Sequence, residues 1–143
     1  MKTNVFDIAN YILQQTGSLT TMKLQKLVYY SQAWSLVWDE KALFPEHIEA
    51  WANGPVVPVL YEAHRGMYTV IRFKNGDSSK VTGESKETID KVIEALGDKS
   101  AKWLIDLTHI EEPWIEARKG LQPNDRGNHI ISWDSMANYY SQL

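Results

Sequence analysis

Apolar residues recur at helical spacing from the start of the chain. Val5, Ile8, Ala9, Ile12 and Leu13 form one stripe, which predicts a helix over about 4–16. Asn4 is placed to cap it, Asp7 puts a negative charge in its first turn, and Gly17 can close it. The next helix is predicted from Thr20 or Thr21 to Trp38. One of its faces carries Leu24, Leu27, Val28, Trp34 and Trp38, and a second carries Met22, Tyr29, Tyr30, Ala33 and Val37. Polar Lys23, Gln25, Lys26 and Gln32 then form a narrow strip expected to face water. A helix apolar on most sides is surrounded by neighbours, so this one is expected to be the spine of the fold.

Ile48, Ala50 and Ala52 alternate with Glu49, Trp51 and Asn53, the period of a short strand. Gly54-Pro55 breaks it, and Val56–His64 reads as a short helix. Tyr68–Phe73 is rich in β-branched and aromatic residues and predicts a strand. After the polar turn 74–79, Lys80–Thr82 is the expected hairpin partner. Further helices are predicted over 85–96, over 101–109, from Pro113, and from Ser132 or Asp134 to about Gln142. The loop 121–129 holds Gly, Pro, Asn and Asp and is the expected mobile segment. Together these elements predict a mainly α (α+β) fold: one compact multi-helix domain over 1–143, around a central buried helix, with a small β-hairpin or short sheet.

Composition adds exclusions. The chain has 143 residues, 43% of them hydrophobic, enough for a core without staples. Six Trp and seven Tyr imply an aromatic core or an aromatic interface. The absence of cysteine removes disulfides, thiolate catalysis and cysteine zinc sites, and fits a reducing cytoplasm. Residues 1–6 lack the basic and apolar pattern of a signal peptide. No apolar run approaches the ~20 residues that span a bilayer, so no membrane association is expected. A net charge of −3 disfavours nucleic acid as the main partner.

Catalytic motifs are missing. There is no nucleophile elbow, zincin pair or P-loop. His109 with Glu111 and Glu112 is the best metal-like cluster and the one motive for a hydrolytic or metal-dependent enzyme as a remote alternative, but acids before Pro113 also complement a helix N-terminus, and the expectation is a protein without catalytic activity. His64 falls on the apolar side of its helix and reads as a hydrogen-bonded core residue. No cofactor is expected. The short turn between the first two helices invites comparison with a helix-turn-helix, which keeps a DNA-binding regulator as an alternative function.

Two stretches taken in order, TMKLQKLVYYSQ at 21–32 and IEAWANGPVVPVLY at 48–61, with a weaker PWIEAR at 113–118, resemble the Panacea-domain family of SocA-like antitoxins and phage-associated GepA-like proteins. The resemblance implies a protein that binds and neutralises a cognate toxin of a toxin–antitoxin or prophage locus, and for some relatives delivery of the toxin to a Clp-type protease. Leu24, Leu27, Tyr30, Trp51, Gly54 and Pro55 are expected to fix the fold. Lys23, Gln25 and Lys26, the polar members of the first motif, and Trp114 and Trp133, which flank the 121–129 loop, are expected to contact the toxin.

Overall fold

A computed structural model describes residues 2–143. Helix α1 (Val5–Thr16) starts with a reciprocal capping box: the Asn4 side chain accepts from the Asp7 backbone and Asp7 accepts from that of Asn4. A two-residue strand β1 (Leu19–Thr20) leads into α2 (Thr21–Trp38), which the Thr20 hydroxyl caps. The antiparallel hairpin β2 (Ile48–Trp51) and β3 (Gly54–Val56) follows, then α3 (Pro58–His64) and β4 (Thr69–Val70). Helices α4 (Gly83–Leu96), α5 (Ala101–His109) and α6 (Glu112–Ala117) precede β5 (Ile130–Ile131) and α7 (Trp133–Tyr140). β5 adds to the free edge of β2, so the three-stranded sheet has the order β3-β2-β5.

Helix α2 is the spine its composition predicts. It packs against α1, α4, α5, α7 and β3. Leu24, Leu27, Val28, Tyr29, Tyr30 and Ala33 are buried in one continuous core with Val5, Ile8, Ile12, Phe44, Leu60 and Met136. The polar strip, however, is not wet. Gln25, Lys26 and Gln32 are all at or below 2% exposure, because segments crossing α2 use these side chains as hydrogen-bond partners.

Three buried amides work in this way. The Gln32 amide donates to the Phe44 carbonyl (2.9 Å) while its oxygen accepts from the Leu43 backbone (2.6 Å). Asn10 on α1 takes both backbone groups of Phe73 at 2.8 Å. Gln25 holds Val57 likewise. Each amide presents a donor and an acceptor to the two backbone groups of the segment it holds, as a neighbouring strand would.

The Asn10 contact explains a departure from the expected hairpin. The strand anticipated over Tyr68–Phe73 contracts to Thr69–Val70 and pairs with β1, Leu19 opposite Val70. Phe73 has a side-chain partner in place of a ladder, and Ser78–Lys80 forms a 3-10 turn capped by Asp77. Lys80–Thr82 is therefore not a strand. Val56 belongs to β3, so the following helix starts at Pro58, at a position where its missing N–H is free of cost.

The aromatic core is a tyrosine core. Tyr29, Tyr30 and Tyr140 are fully buried and meet edge-to-face with centroids 5.2–6.2 Å apart. Tyr30 and Tyr140 both donate to Oε1 of Glu111, at 2.6 and 2.7 Å. Because the Tyr140 proton is committed to Glu111, Tyr29 is the donor in the 3.0 Å bond between the two hydroxyls. Tryptophan lies at the margins: Trp38, Trp103 and Trp133 are each more than 40% exposed.

Candidate functional site

The two sequence motifs meet at one place. On the α2 face turned toward the β2–β3 hairpin, the Gln25 side chain accepts from the Val57 N–H (2.9 Å), and its amide lies 3.4 Å from the Val57 carbonyl and 3.0 Å from Nε2 of His64. Since Nε2 of His64 receives the amide proton, the ring proton resides on Nδ1. The next residue, Lys26, runs past Gly54 and donates from Nζ to the Pro55 carbonyl at 3.1 Å. Gly54 adopts φ +108°, a conformation open to glycine. The spacing of Gln25 and Lys26 against Gly54, Pro55 and Val57 is thus a set of backbone-directed bonds.

Gln25 and Lys26, with Thr21 and Met22 of α2 and Val56 of β3, form the inner wall of a cleft of about 460 Å³. Trp51, Ala52 and Asn53 of the hairpin, Tyr61 and His64 of α3, and Asn124 and Arg126 of the 121–129 loop complete it. The Arg126 guanidinium lies 3.8 Å from the Trp51 ring centroid and 5.3 Å from that of Tyr61, a cation–π arrangement. Trp51 and Tyr61 meet edge-to-face at 4.8 Å.

The electrostatics are one-sided. No carboxylate lines the cleft. Burial strips Lys26 of water and lowers its pKa to about 7. His64 is shifted down, first by burial, with the nearby Lys26 charge adding to it and a backbone hydrogen bond opposing. His109 is shifted down as well, again mainly by burial. Both imidazoles are therefore neutral at pH 7, and the base of the cleft carries an amine poised between its two protonation states.

The third motif secures the outer wall. Buried Arg118 donates to four carbonyls: Ala50 (3.0 Å) and Arg126 (3.1 Å) from Nη1, Gln122 (2.8 Å) and Asp125 (2.7 Å) from Nη2. The Ala50 and Ala52 N–H groups add bonds to the carbonyls of His129 and Arg126. These bonds strap the 121–129 loop to β2. Sequence reasoning set Arg118 aside as part of a weak motif; a lone arginine in a helix that ends before a Pro/Gly loop was the available signal.

The other expected contact residues are scattered around this site. Trp114 is half-buried. Its Nε1–H donates to the Trp51 carbonyl (2.8 Å), and its ring stacks on His109 at 4.0 Å. Trp133 is exposed at the start of α7, which packs on α6. Lys23 points away from the cleft and donates to the Gly97 carbonyl at the end of α4 (2.6 Å). Leu24, Leu27 and Tyr30 are buried in the core. His109, Glu111 and Glu112 do not converge: His109 stacks on Trp114, Glu111 serves the tyrosines and Glu112 is exposed in the first turn of α6. Among the described residues no group of His, Asp or Glu is arranged to hold a metal ion, and no helix is long and apolar enough to cross a membrane.

Comparison with known proteins converges on the same stretches. The chain is 29% identical over 124 residues to the antitoxin SocA of Caulobacter vibrioides, an alignment covering 75% of this chain and 66% of that protein. The chain thus spans just under two thirds of the relative's length. No solved structure matches it. The family described as "Antitoxin SocA-like, Panacea domain" matches residues 24–115, which include Gln25, Lys26, Trp51, Gly54, Pro55 and Trp114. With well over half of its length inside that match, the chain belongs to the SocA-like antitoxin family that carries the Panacea domain.

Proposed function

We propose that this protein is an antitoxin, a binding module that neutralises a cognate toxin by forming a complex with it. The observation that carries this reading is the family match over 24–115, which takes in the whole second motif, the first from Leu24 onward and most of the spine helix. The similarity to a relative named antitoxin SocA supports it further. Delivery of the captured toxin to a Clp-type protease is a finer form of the same reading, and a reducing cytoplasm is the compartment that suits it.

The docking face we assign is the edge formed by α6, β5 and α7. It exposes Ile115, Ile130 and Trp133, on elements that pack against one another. Exposed aromatics rimmed by polar groups are typical anchors of protein interfaces, and a stable complex needs about 800 Å² from each partner. Trp133 is the anchor in this reading. Trp114 supports the edge from below through its bond to Trp51, and Lys23 serves a partner that extends toward α4. Gln25 and Lys26 are reached only through the cleft.

Helix α2 cannot serve as a DNA-recognition helix while it lies buried along most of its length, which takes away the feature that suggested a DNA-binding regulator.

Co-expression with the product of the adjacent gene tests the proposal. The expected results are relief of growth arrest and a co-purifying complex, with Trp133→Ala weakening both while the melting profile stays unchanged. Absence of rescue and of complex overturns the antitoxin reading; full rescue by a folded Trp133→Ala variant overturns the assigned face.

A further inference from the structure

We propose that the cleft between α2, the β2–β3 turn and the 121–129 loop is a binding site for a small organic anion, its carboxylate or phosphate head seated at Lys26 and its uncharged body along Trp51 and Tyr61.

The charge inventory leads there. Lys26 is 1% exposed and uses one of its three ammonium protons, on the Pro55 carbonyl. A buried cation is ordinarily matched by an acid. Here the facing groups are Arg126 from the loop, His64 from α3 and His109 from the end of α5, and none of them supplies negative charge. A purely structural role at this position would be met at lower cost by Met or Leu. A lysine kept without a counter-ion at the base of an open cleft is therefore a site waiting for an anion.

Size and lining agree. About 460 Å³ falls within the range of small-molecule sites, roughly 300–1,000 Å³. One wall presents the aromatic pair Trp51 and Tyr61 with Arg126 stacked on it; the other presents the buried Gln25–His64 pair. That combination provides convergent polar groups around a flat apolar surface. The lowered pKa of Lys26 adds a consequence: an arriving anion raises it again, so binding takes up a proton near neutral pH.

The site is built by the chain alone and does not depend on the antitoxin reading. The test uses the purified full chain without any toxin. Thermal melting and NMR of the Lys26 amine are followed on addition of phosphate, acetate, adenosine monophosphate and, as neutral control, adenosine. Phosphate or acetate at millimolar concentration should raise the melting temperature and shift the Lys26 resonance. The larger response of the two identifies the head group, and adenosine alone should do neither. Adenosine monophosphate should bind more tightly than phosphate if the aromatic wall carries the body. Lys26→Met should weaken binding about 10- to 100-fold. Arg126→Gln, at an exposed loop position, should weaken it several-fold and serves as the variant if Lys26→Met fails to fold. No response to any of the anions, or equal binding by the folded variants, overturns the proposal. Loss of toxin neutralisation with anion binding intact would sink the antitoxin reading and leave this one standing.

Discussion

Gly54 and Lys26 compete for the same volume: a Cβ built on Gly54 would lie 2.5 Å from Cε of Lys26 and 3.0 Å from the Thr108 hydroxyl. With φ at +108°, the position is closed to other residues on two independent grounds. Gly54→Ala should destabilise the protein by about 2–4 kcal/mol, combining backbone strain with displacement of a buried lysine. Combining it with Lys26→Ala should recover the steric part alone. Urea denaturation of the two single variants and the double variant reads this as a coupling energy; strict additivity would show that the two residues do not interact.

Stability should rise with pH above neutrality. Folded Lys26 releases its proton near pH 7, whereas in the unfolded chain it holds the proton to about 10.4. Between those values the unfolded state binds more protons, so unfolding becomes less favourable as pH increases, by at most about 1.4 kcal/mol per unit. His64 and His109, shifted below their usual value, act at more acid pH. The buried tyrosines, shifted upward, oppose the trend only above about pH 10. The denaturant midpoint should therefore be higher at about pH 9 than at pH 7. Lys26→Met should remove the difference and raise stability at pH 7. A midpoint independent of pH in the parent protein would show that Lys26 keeps an ordinary pKa.

The amide brackets are expected to be expensive to remove. Gln32→Leu keeps the volume but strips partners from the buried Leu43 N–H and the Phe44 carbonyl. Orphaned buried groups cost about 1–3 kcal/mol each, so a loss of roughly 2–5 kcal/mol is expected from thermal or urea denaturation. Gln32→Glu should do comparable damage, since a carboxylate accepts from Leu43 but repels the Phe44 carbonyl. A variant within about 0.5 kcal/mol of the parent would show that water replaces the amide.

Arg118→Lys should behave like Arg118→Ala. A single ammonium cannot reach four carbonyls spread over Ala50, Gln122, Asp125 and Arg126, whereas the planar guanidinium fork can. Both variants should speed amide exchange and proteolytic nicking within 121–129 while the helical signal is retained. Protection equal to the parent in Arg118→Lys would show that the strand-to-loop bonds suffice.

Much of the fold was legible because it follows from apolar spacing. Helices α1, α2 and α4 carry apolar positions that leave few choices, and the breakers Gly17 and Gly97 cap α1 and α4, whereas Gly54-Pro55, read as a break, opens the return strand β3. The β1–β4 pair, two residues on each side, is too short to leave a pattern, and the Phe73 backbone beyond it is taken by Asn10 from another element. The polar residues of α2 were the harder case. Polarity in a sequence shows a need for a partner but not whether water or a crossing backbone supplies it, so Gln25, Lys26 and Gln32 read as wet when each is buried. The cleft was hidden for the same reason: its parts come from α2, the hairpin, α3 and a loop, and only the third dimension brings Lys26 and Arg126 into one cleft. The resemblance pointed to the correct two stretches without saying that they touch.

The four-carbonyl grip of Arg118 has a bearing on how the protein could lose its cleft. One side chain, at the C-terminal end of a six-residue helix, gathers four of the bonds on the segment that carries Asn124 and Arg126, beside the two backbone bonds from β2. Damage at a single guanidinium would loosen the loop side of the cleft while the tyrosine core stayed intact, leaving a molecule that keeps its helices but no longer holds Arg126 in place over Trp51.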